Sequence, residues 1–402
     1  LKITIFGLTL SSSWGNGHAT PYRALLRALH RRGHRITFFE KDLPYYASRR
    51  DFTASECDFC RLELYSDWES VRARALAVAR ESDVVITASY CPEGARINDE
   101  ILALTGPLRV FYDLDTPLTL AGLARSGARV DSEYLRADQM PAFDLYLSFT
   151  GGRILPELEE GWGVRRAQPL YGCVDPDLHF RVAPREQFAC DLSYMGTYAA
   201  DRQPKLDALF LEPARRSPAA RFVLAGALYP WDPRSWDTGS SNPWDTGSSN
   251  PWDTGSSNPK TCPENVLRFD HVAPADHAAF FSSSRLTLNI TRAEMASWGY
   301  CPSGRFFEAA ACGVPLISDD WEGLQSFFSA GSEIFLAQES KDILSVLRVS
   351  KEELREMAER ARERTLDEHT GSHRAEELLG YIEESGRPSP TQRNASSLAV
   401  SS

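Results

Sequence analysis

The chain has no long apolar run. Nothing in it approaches the roughly 18 consecutive apolar residues that a membrane-crossing helix needs, so no membrane span is expected. Positive charge is also short: 44 Lys and Arg stand against 55 Asp and Glu, a formal net charge of -11. Proteins that neutralise nucleic-acid phosphates need a basic surface, so nucleic acid is not expected as a partner. A local basic pocket for a small anionic ligand stays compatible with that charge. The eight cysteines are scattered. Cys57-x-x-Cys60 is the single close pair, and no second pair follows at zinc spacing, so free cytosolic thiols are expected in place of a metal centre. Leu1-Lys2-Ile3-Thr4-Ile5-Phe6 reads as a first strand and lacks a signal-peptide pattern. With no initiator Met, a trimmed start and a cytoplasmic location are the expectation.

What remains is the composition of a globular protein, 42% hydrophobic and 25% charged. At 402 residues, two domains are expected. The first half alternates strand and helix. Strands are predicted at 2–10, 34–40, 83–89, 108–112 and 143–149, with helices at 22–32 and 68–81. A second alternating series starts near Cys190. It has strands at 191–195, 221–225, 265–269, 286–290, 314–318 and 333–336, and helices at 202–215, 275–283, 303–312, 341–347 and 351–367. Strands separated by helices argue for parallel sheets covered on both faces, so the expected class is α/β with two doubly wound units. The expected boundaries are 1–170 and 171–370, with a C-terminal helix and disordered tail over 371–402. Residues 235–258 are a tandem octapeptide built on Trp-Asp-Thr-Gly-Ser-Ser-Asn. It has no apolar face and reads as a surface insertion, or alternatively as a Trp-bearing lip for sugars.

Several segments at predicted strand ends carry candidate chemistry. The most informative is Ser303-Gly304-Arg305-Phe306-Phe307-Glu308, continuing to Cys312-Gly313 and a buried strand. A helix start can hold a phosphate on its unpaired N–H groups, and Glu308 one turn further on could accept ribose hydroxyls. The plainer alternative is an ordinary helix–turn–strand unit. Ser11 to His18 is a Gly/Ser-rich loop in which Gly15 and Gly17 permit close backbone approach. His18 there could act as a base, bind a hydroxyl or merely pack at the helix start. Asp115, in Asp113-Leu114-Asp115-Thr116, could bind sugar hydroxyls, take a proton or cap the next turn. Glu93-Gly94 is a weaker copy of that arrangement. Gly196 precedes Arg202 and Lys205, two cations one turn apart that could meet a diphosphate or could simply be solvated. Where the strand around Arg268 runs out, Asp270-His271-Val272 could support a base.

The stretches LSYMGTYAADRQPKLDALFLEPA, GYCPSGRFFEAAACGVPLISDDWEGLQSFF, FYDLDTPLT and SSSWGNGHATPYRALLRAL together resemble the CgeB-like glycosyltransferases, named after a spore maturation protein. The likeness covers most of residues 1–370 outside the octapeptides. It implies a GT-B fold, two Rossmann-like domains facing across a cleft, with the nucleotide-sugar bound by the second and the acceptor by the first. The family is more distantly similar to a large retaining group. By that resemblance Arg202 and Lys205 hold the diphosphate, Glu308 the ribose, and His271-Val272 lie against the base. The larger group carries a further Glu eight positions before the ribose-binding one; here that residue is Tyr300.

The implied activity is transfer of a sugar from a nucleotide-diphosphate-sugar, a UDP-sugar before others, to an unidentified acceptor. The acceptor could be a glycan, a small molecule or a protein. No cofactor and no metal are expected. Asp113-x-Asp115 fits the Asp-x-Asp spacing but lies in the wrong half for a donor metal. Arg202, Lys205 and the helix start at Ser303-Gly304 are expected to carry the charge of the departing diphosphate. Two other readings stay open: a catalytically silent sugar-nucleotide binder of surface or spore-coat assembly, which Tyr300 keeps in view, and a GT-B-shaped epimerase.

Overall fold

The computed structural model describes residues 1–125, 134–229 and 262–385. The octapeptide insertion 235–258 and the tail from 386 lie outside the described residues. The chain divides into two compact units.

The first unit is built on seven parallel strands: β1 (Lys2–Gly7), β2 (Arg35–Lys41), β3 (Arg61–Tyr65), β4 (Val84–Ala88), β5 (Leu108–Asp113), β6 (Leu145–Ser148) and β7 (Ala167–Pro169). Their order is β3-β2-β1-β4-β5-β6-β7. Successive side chains of a strand point to opposite faces. In β1, Ile3 and Ile5 therefore join one core with Phe38, Val110 and Leu145, while Phe6 joins the other with Phe39 and Trp68. Phe6 and Phe39 are register partners across β1 and β2, and their rings stack at 5.0 Å. Both faces are thus buried, as the apolar runs predict.

The helix Gly371–Glu384 belongs to this unit, because Ala375, Leu378 and Ile382 enter the same core as Ile3 and Leu145. The unit therefore comprises Leu1–Ser12, the described residues of Pro21–Cys173 and those from Gly371 onward. The predicted first strand ends at Gly7, earlier than position 10. Beyond it, buried Glu40 draws the chain aside. Its carboxylate accepts the N–H groups of Leu10 and Ser11 at 2.7 and 2.9 Å and the Thr9 hydroxyl at 2.9 Å.

The second unit comprises Ser13–Thr20 and the described residues of Val174–Thr370. Its parallel strands are β8 (Leu192–Met195), β9 (Phe222–Ala225), β10 (Val266–Phe269), β11 (Thr287–Asn289), β12 (Leu316–Ser318) and β13 (Ile334–Leu336). Their order, β10-β9-β8-β11-β12-β13, repeats that of the first six strands of the first unit. Both are the doubly wound order whose ligands bind at the carboxyl ends of strands. The predicted helix 202–215 is split, with α-helical Gln203–Leu206 and Glu212–Arg216 joined by a π turn at Asp207–Leu211. Pro213 has no N–H to give a regular turn, and a π turn accommodates that loss.

Candidate active site

The carboxyl ends of β8, β9 and β10 meet around a solvent-open cavity of about 70 Å³ within the second unit. Two glycines open it. Gly226, directly after β9, has φ +151°, and a Cβ there would lie 2.0 Å from the carbonyl oxygen of Gly196. The turns after β8 and β9 therefore pass backbone against backbone, which any side chain at 226 would prevent. A Cβ on Gly196 would in turn stand 2.5 Å from the Tyr194 hydroxyl.

The loop Ser13–Thr20 supplies one wall through Gly15, Asn16 and Gly17. Asn16 shapes the loop: its N–H donates to the Ser13 carbonyl at 3.1 Å, and its Oδ1 accepts the His18 N–H at 3.0 Å. After β10, Asp270, His271 and Val272 form a second wall, and the His271 ring lies 5.0 Å from that of Trp14.

Arg305 and Glu308 form the third wall, from the helix Gly304–Ala311. Phe306, Phe307 and Ala309 to Ala311 are buried, which fixes this helix and sets the direction of its polar residues. Ser303 precedes it without a side-chain cap, so the first-turn N–H groups receive no help from that hydroxyl. Glu308 is 2% exposed, and its Oε2 lies 3.1 Å from His277 Nδ1. Burial pushes the Glu308 carboxyl up, but His277, His179 and Arg305 outweigh it and bring the pKa down to about 2. Arg305 is half-buried beside Arg202, and its partial desolvation and that like charge both pull its pKa below the ordinary arginine value. Among the described residues it makes no hydrogen bond and no ion pair.

The cavity gathers Gly15, Gly17, Gly196, His271, Val272 and Glu308 from the residues singled out in the sequence. The others lie elsewhere. Lys205 is paired with Asp319 Oδ2 at 2.5 Å, and Thr291 donates to the other oxygen of that acid through both its N–H and its hydroxyl. Arg202 donates to the Tyr194 hydroxyl at 3.1 Å and the Thr197 carbonyl at 3.4 Å, just behind the cavity wall. His18 sits one residue before the helix Ala19–Arg31 and does not line the cavity. Asp115 belongs to the first unit, where its carbonyl accepts the N–H groups of Leu118 and Thr119 at 2.8 and 3.1 Å. Tyr300 has φ +47°, donates its N–H to the Glu322 carbonyl at 2.7 Å and lays its ring over Gly323. Ser303 and Gly304 begin the helix, but the next residue is the one that reaches the cavity.

Among the titratable residues lining the cavity, Arg305 and His277 are the ones that sequence reasoning passed over. Arg305 stood inside the most informative motif. His277, by contrast, sits in an apolar helix, Pro274–Ser282, where nothing local marks it.

Residues 202–380 match the glycosyl transferase-like family. Solved structures of similar shape cover nearly the whole chain. Sucrose-phosphate synthase from Thermosynechococcus elongatus is 13% identical with a TM-score of 0.62, over 95% of this chain and 98% of that one. HepE of Anabaena, in complex with UDP-glucose, is 11% identical with a TM-score of 0.64, over 95% and 99%. An alpha-glucosyltransferase in complex with UDP is 13% identical with a TM-score of 0.65, also over 95% and 99%. The fold is GT-B. At these identities the structures speak for fold, and the family match speaks for the segment that carries the cavity's helix Gly304–Ala311. No curated protein sequence matches the chain.

Proposed function

We propose that this chain is a CgeB-like glycosyltransferase that moves a hexosyl or related sugar from a nucleotide-diphosphate-sugar, a UDP-sugar first, to an acceptor. The observation that carries the reading is Arg305: a half-buried guanidinium with no hydrogen bond or ion pair among the described residues, in the wall of a cavity at strand carboxyl ends. A cation without an ion-pair partner in a concave site attracts an anion, and a diphosphate supplies that charge. In this reading Glu308, in the same wall, accepts ribose hydroxyls, and the Asp270–Val272 segment lies against the base. The glycosyl transferase-like match, and the UDP or UDP-glucose in two of the similar structures, favour the same donor class.

In the proposed reaction the anomeric carbon leaves the diphosphate oxygen and joins an acceptor hydroxyl, whose proton is released. Negative charge then builds on the diphosphate. Arg305, with Arg202 behind it and the N–H groups at the start of the Gly304–Ala311 helix, stabilises that charge without a metal bridging the phosphates. Lys205 reaches the phosphates only by leaving Asp319. The first unit is left to the acceptor.

Calorimetry with UDP, followed by an assay for UDP released from UDP-glucose, tests the reading. Micromolar UDP binding with turnover supports it. Binding without turnover supports the silent binder, for which Tyr300 speaks by putting no carboxylate at its position. No binding of UDP or another nucleoside diphosphate rules out both.

A further inference from the structure

Three side chains far apart in the chain converge inside the second unit. His179, His277 and Glu308 are 2%, 7% and 2% exposed, and one donor atom from each lies within 4.8 Å of the others. Glu308 Oε2 is 3.1 Å from His277 Nδ1 and 3.8 Å from His179 Nε2.

The orientation of the two rings is the informative part. His179 turns Nδ1 to the Asp175 carbonyl at 3.3 Å, and His277 turns Nε2 to the Val272 carbonyl at 3.2 Å. A carbonyl only accepts, so each ring carries a hydrogen on that nitrogen. Unless a second proton is bound, the remaining nitrogen of each ring presents a lone pair toward the same carboxylate, so the positive charge that keeps Glu308 ionised comes from such a proton or from a bound cation. A second proton on His277 would relieve one of these contacts. It would still leave His179 Nε2, which is fully buried and has no hydrogen-bond partner among the described residues. A cation among the three satisfies all of them together. Metal-bound histidines are oriented in this way, with the far N–H donated to a backbone carbonyl.

We propose that His179, His277 and Glu308 hold a divalent first-row transition metal ion, with Zn²⁺ as the expected occupant. Two imidazoles and one carboxylate are a zinc-type donor set, whereas Mg²⁺ and Ca²⁺ select oxygen ligands. Bonds of about 2.0–2.2 Å place tetrahedral donors about 3.4 Å apart, between the two separations observed at Glu308. The ion would tie together the segment after Val174, the helix Pro274–Ser282 and the helix Gly304–Ala311. It would use Glu308 Oε2 and leave Oε1 for a ligand in the cavity. This is an ion gripped by protein side chains, distinct from one carried in on a diphosphate, and the inference does not rest on the donor reading.

Cysteines also bind zinc, so the test uses a Cys57→Ser/Cys60→Ser background. Chelator-stripped protein is titrated with Co²⁺, and metal content is measured after gel filtration. The expected result is one Co²⁺ per chain, with visible d–d absorption, no thiolate charge-transfer band and displacement by Zn²⁺. His179→Gln is expected to weaken binding at least 100-fold. If that variant does not fold, His277→Gln provides the same comparison, and the titration of the Cys57→Ser/Cys60→Ser protein decides by itself. Failure of the stripped protein to take up stoichiometric Co²⁺, or equal uptake by the His179→Gln variant, overturns the proposal. UDP calorimetry on the stripped protein reports on the donor reading separately.

Discussion

Arg305 and Glu308 stand one turn apart on a single helix, both in the cavity wall, and do not form a salt bridge with each other. Residues three apart on a helix are neighbours, and an Arg and a Glu so placed ordinarily pair. Here Glu308 turns Oε2 to His277, which leaves the guanidinium available to an outside anion.

Arg305→Ala is therefore expected to weaken UDP binding by about 10- to 100-fold, the worth of a charged hydrogen bond of about 1.5–3 kcal/mol. Uridine, which has no phosphate, should lose little. Calorimetry with both ligands checks this. An equal loss for the two would remove Arg305 from the phosphate role.

Lys205→Ala is expected to act chiefly on stability. The Asp319 side chain is 4% exposed and that of Lys205 is 38% exposed, so the pair is partly screened and its loss should cost about 1–3 kcal/mol. Removing the acid charge as well, in Lys205→Ala/Asp319→Asn, should restore part of it. Urea denaturation of the two variants gives the comparison. A smaller effect on UDP affinity than that of Arg305→Ala is expected in the same preparations.

Gly226→Ala tests the close passage of the turns after β8 and β9. With φ at +151° and a Cβ 2.0 Å from the Gly196 carbonyl oxygen, the backbone must move. The expected cost is roughly 2–4 kcal/mol, with loss of the stabilisation that UDP confers on melting. Unchanged melting, with and without UDP, would show that the passage tolerates a methyl group.

A pH dependence is expected from Asp113, away from the cavity. Burial pushes its carboxyl up from 3.8 to about 6, although Tyr146 and Thr119 donate hydroxyls to it at 2.7 and 3.0 Å. A raised acid pKa means that the fold prefers the protonated form. The cost of ionisation is absent below about pH 4, grows between pH 4 and 6 and is complete above pH 6, where it reaches about 3 kcal/mol. Asp113→Asn should flatten stability across that window. An unchanged slope in urea melts from pH 4 to 7 would assign it to other groups.

Much of the scaffold was legible because it is written locally. Continuous apolar strands such as Val84–Ala88 and punctuated helices such as Ala19–Arg31 announce a parallel sheet. The edge strands were harder. β3 alternates charge with leucine, and β7 is only Ala-Gln-Pro, so neither has the buried run that marks a central strand. The helix Gly371–Glu384 was expected at the chain's end, yet its attachment to the first unit depends on packing that no local pattern shows.

The chain by itself determines the glycine-lined turns, the apolar strands and the helix that carries Arg305 and Glu308, since these follow from short-range sterics and hydrophobic period. Which cation is spent and which is spare was decided only by tertiary structure. Lys205 pairs with an acid 114 positions away, while Arg305 forms no ion pair among the described residues. Charge pairing falls off within a few ångströms, so it is settled by proximity in space, which linear spacing does not encode.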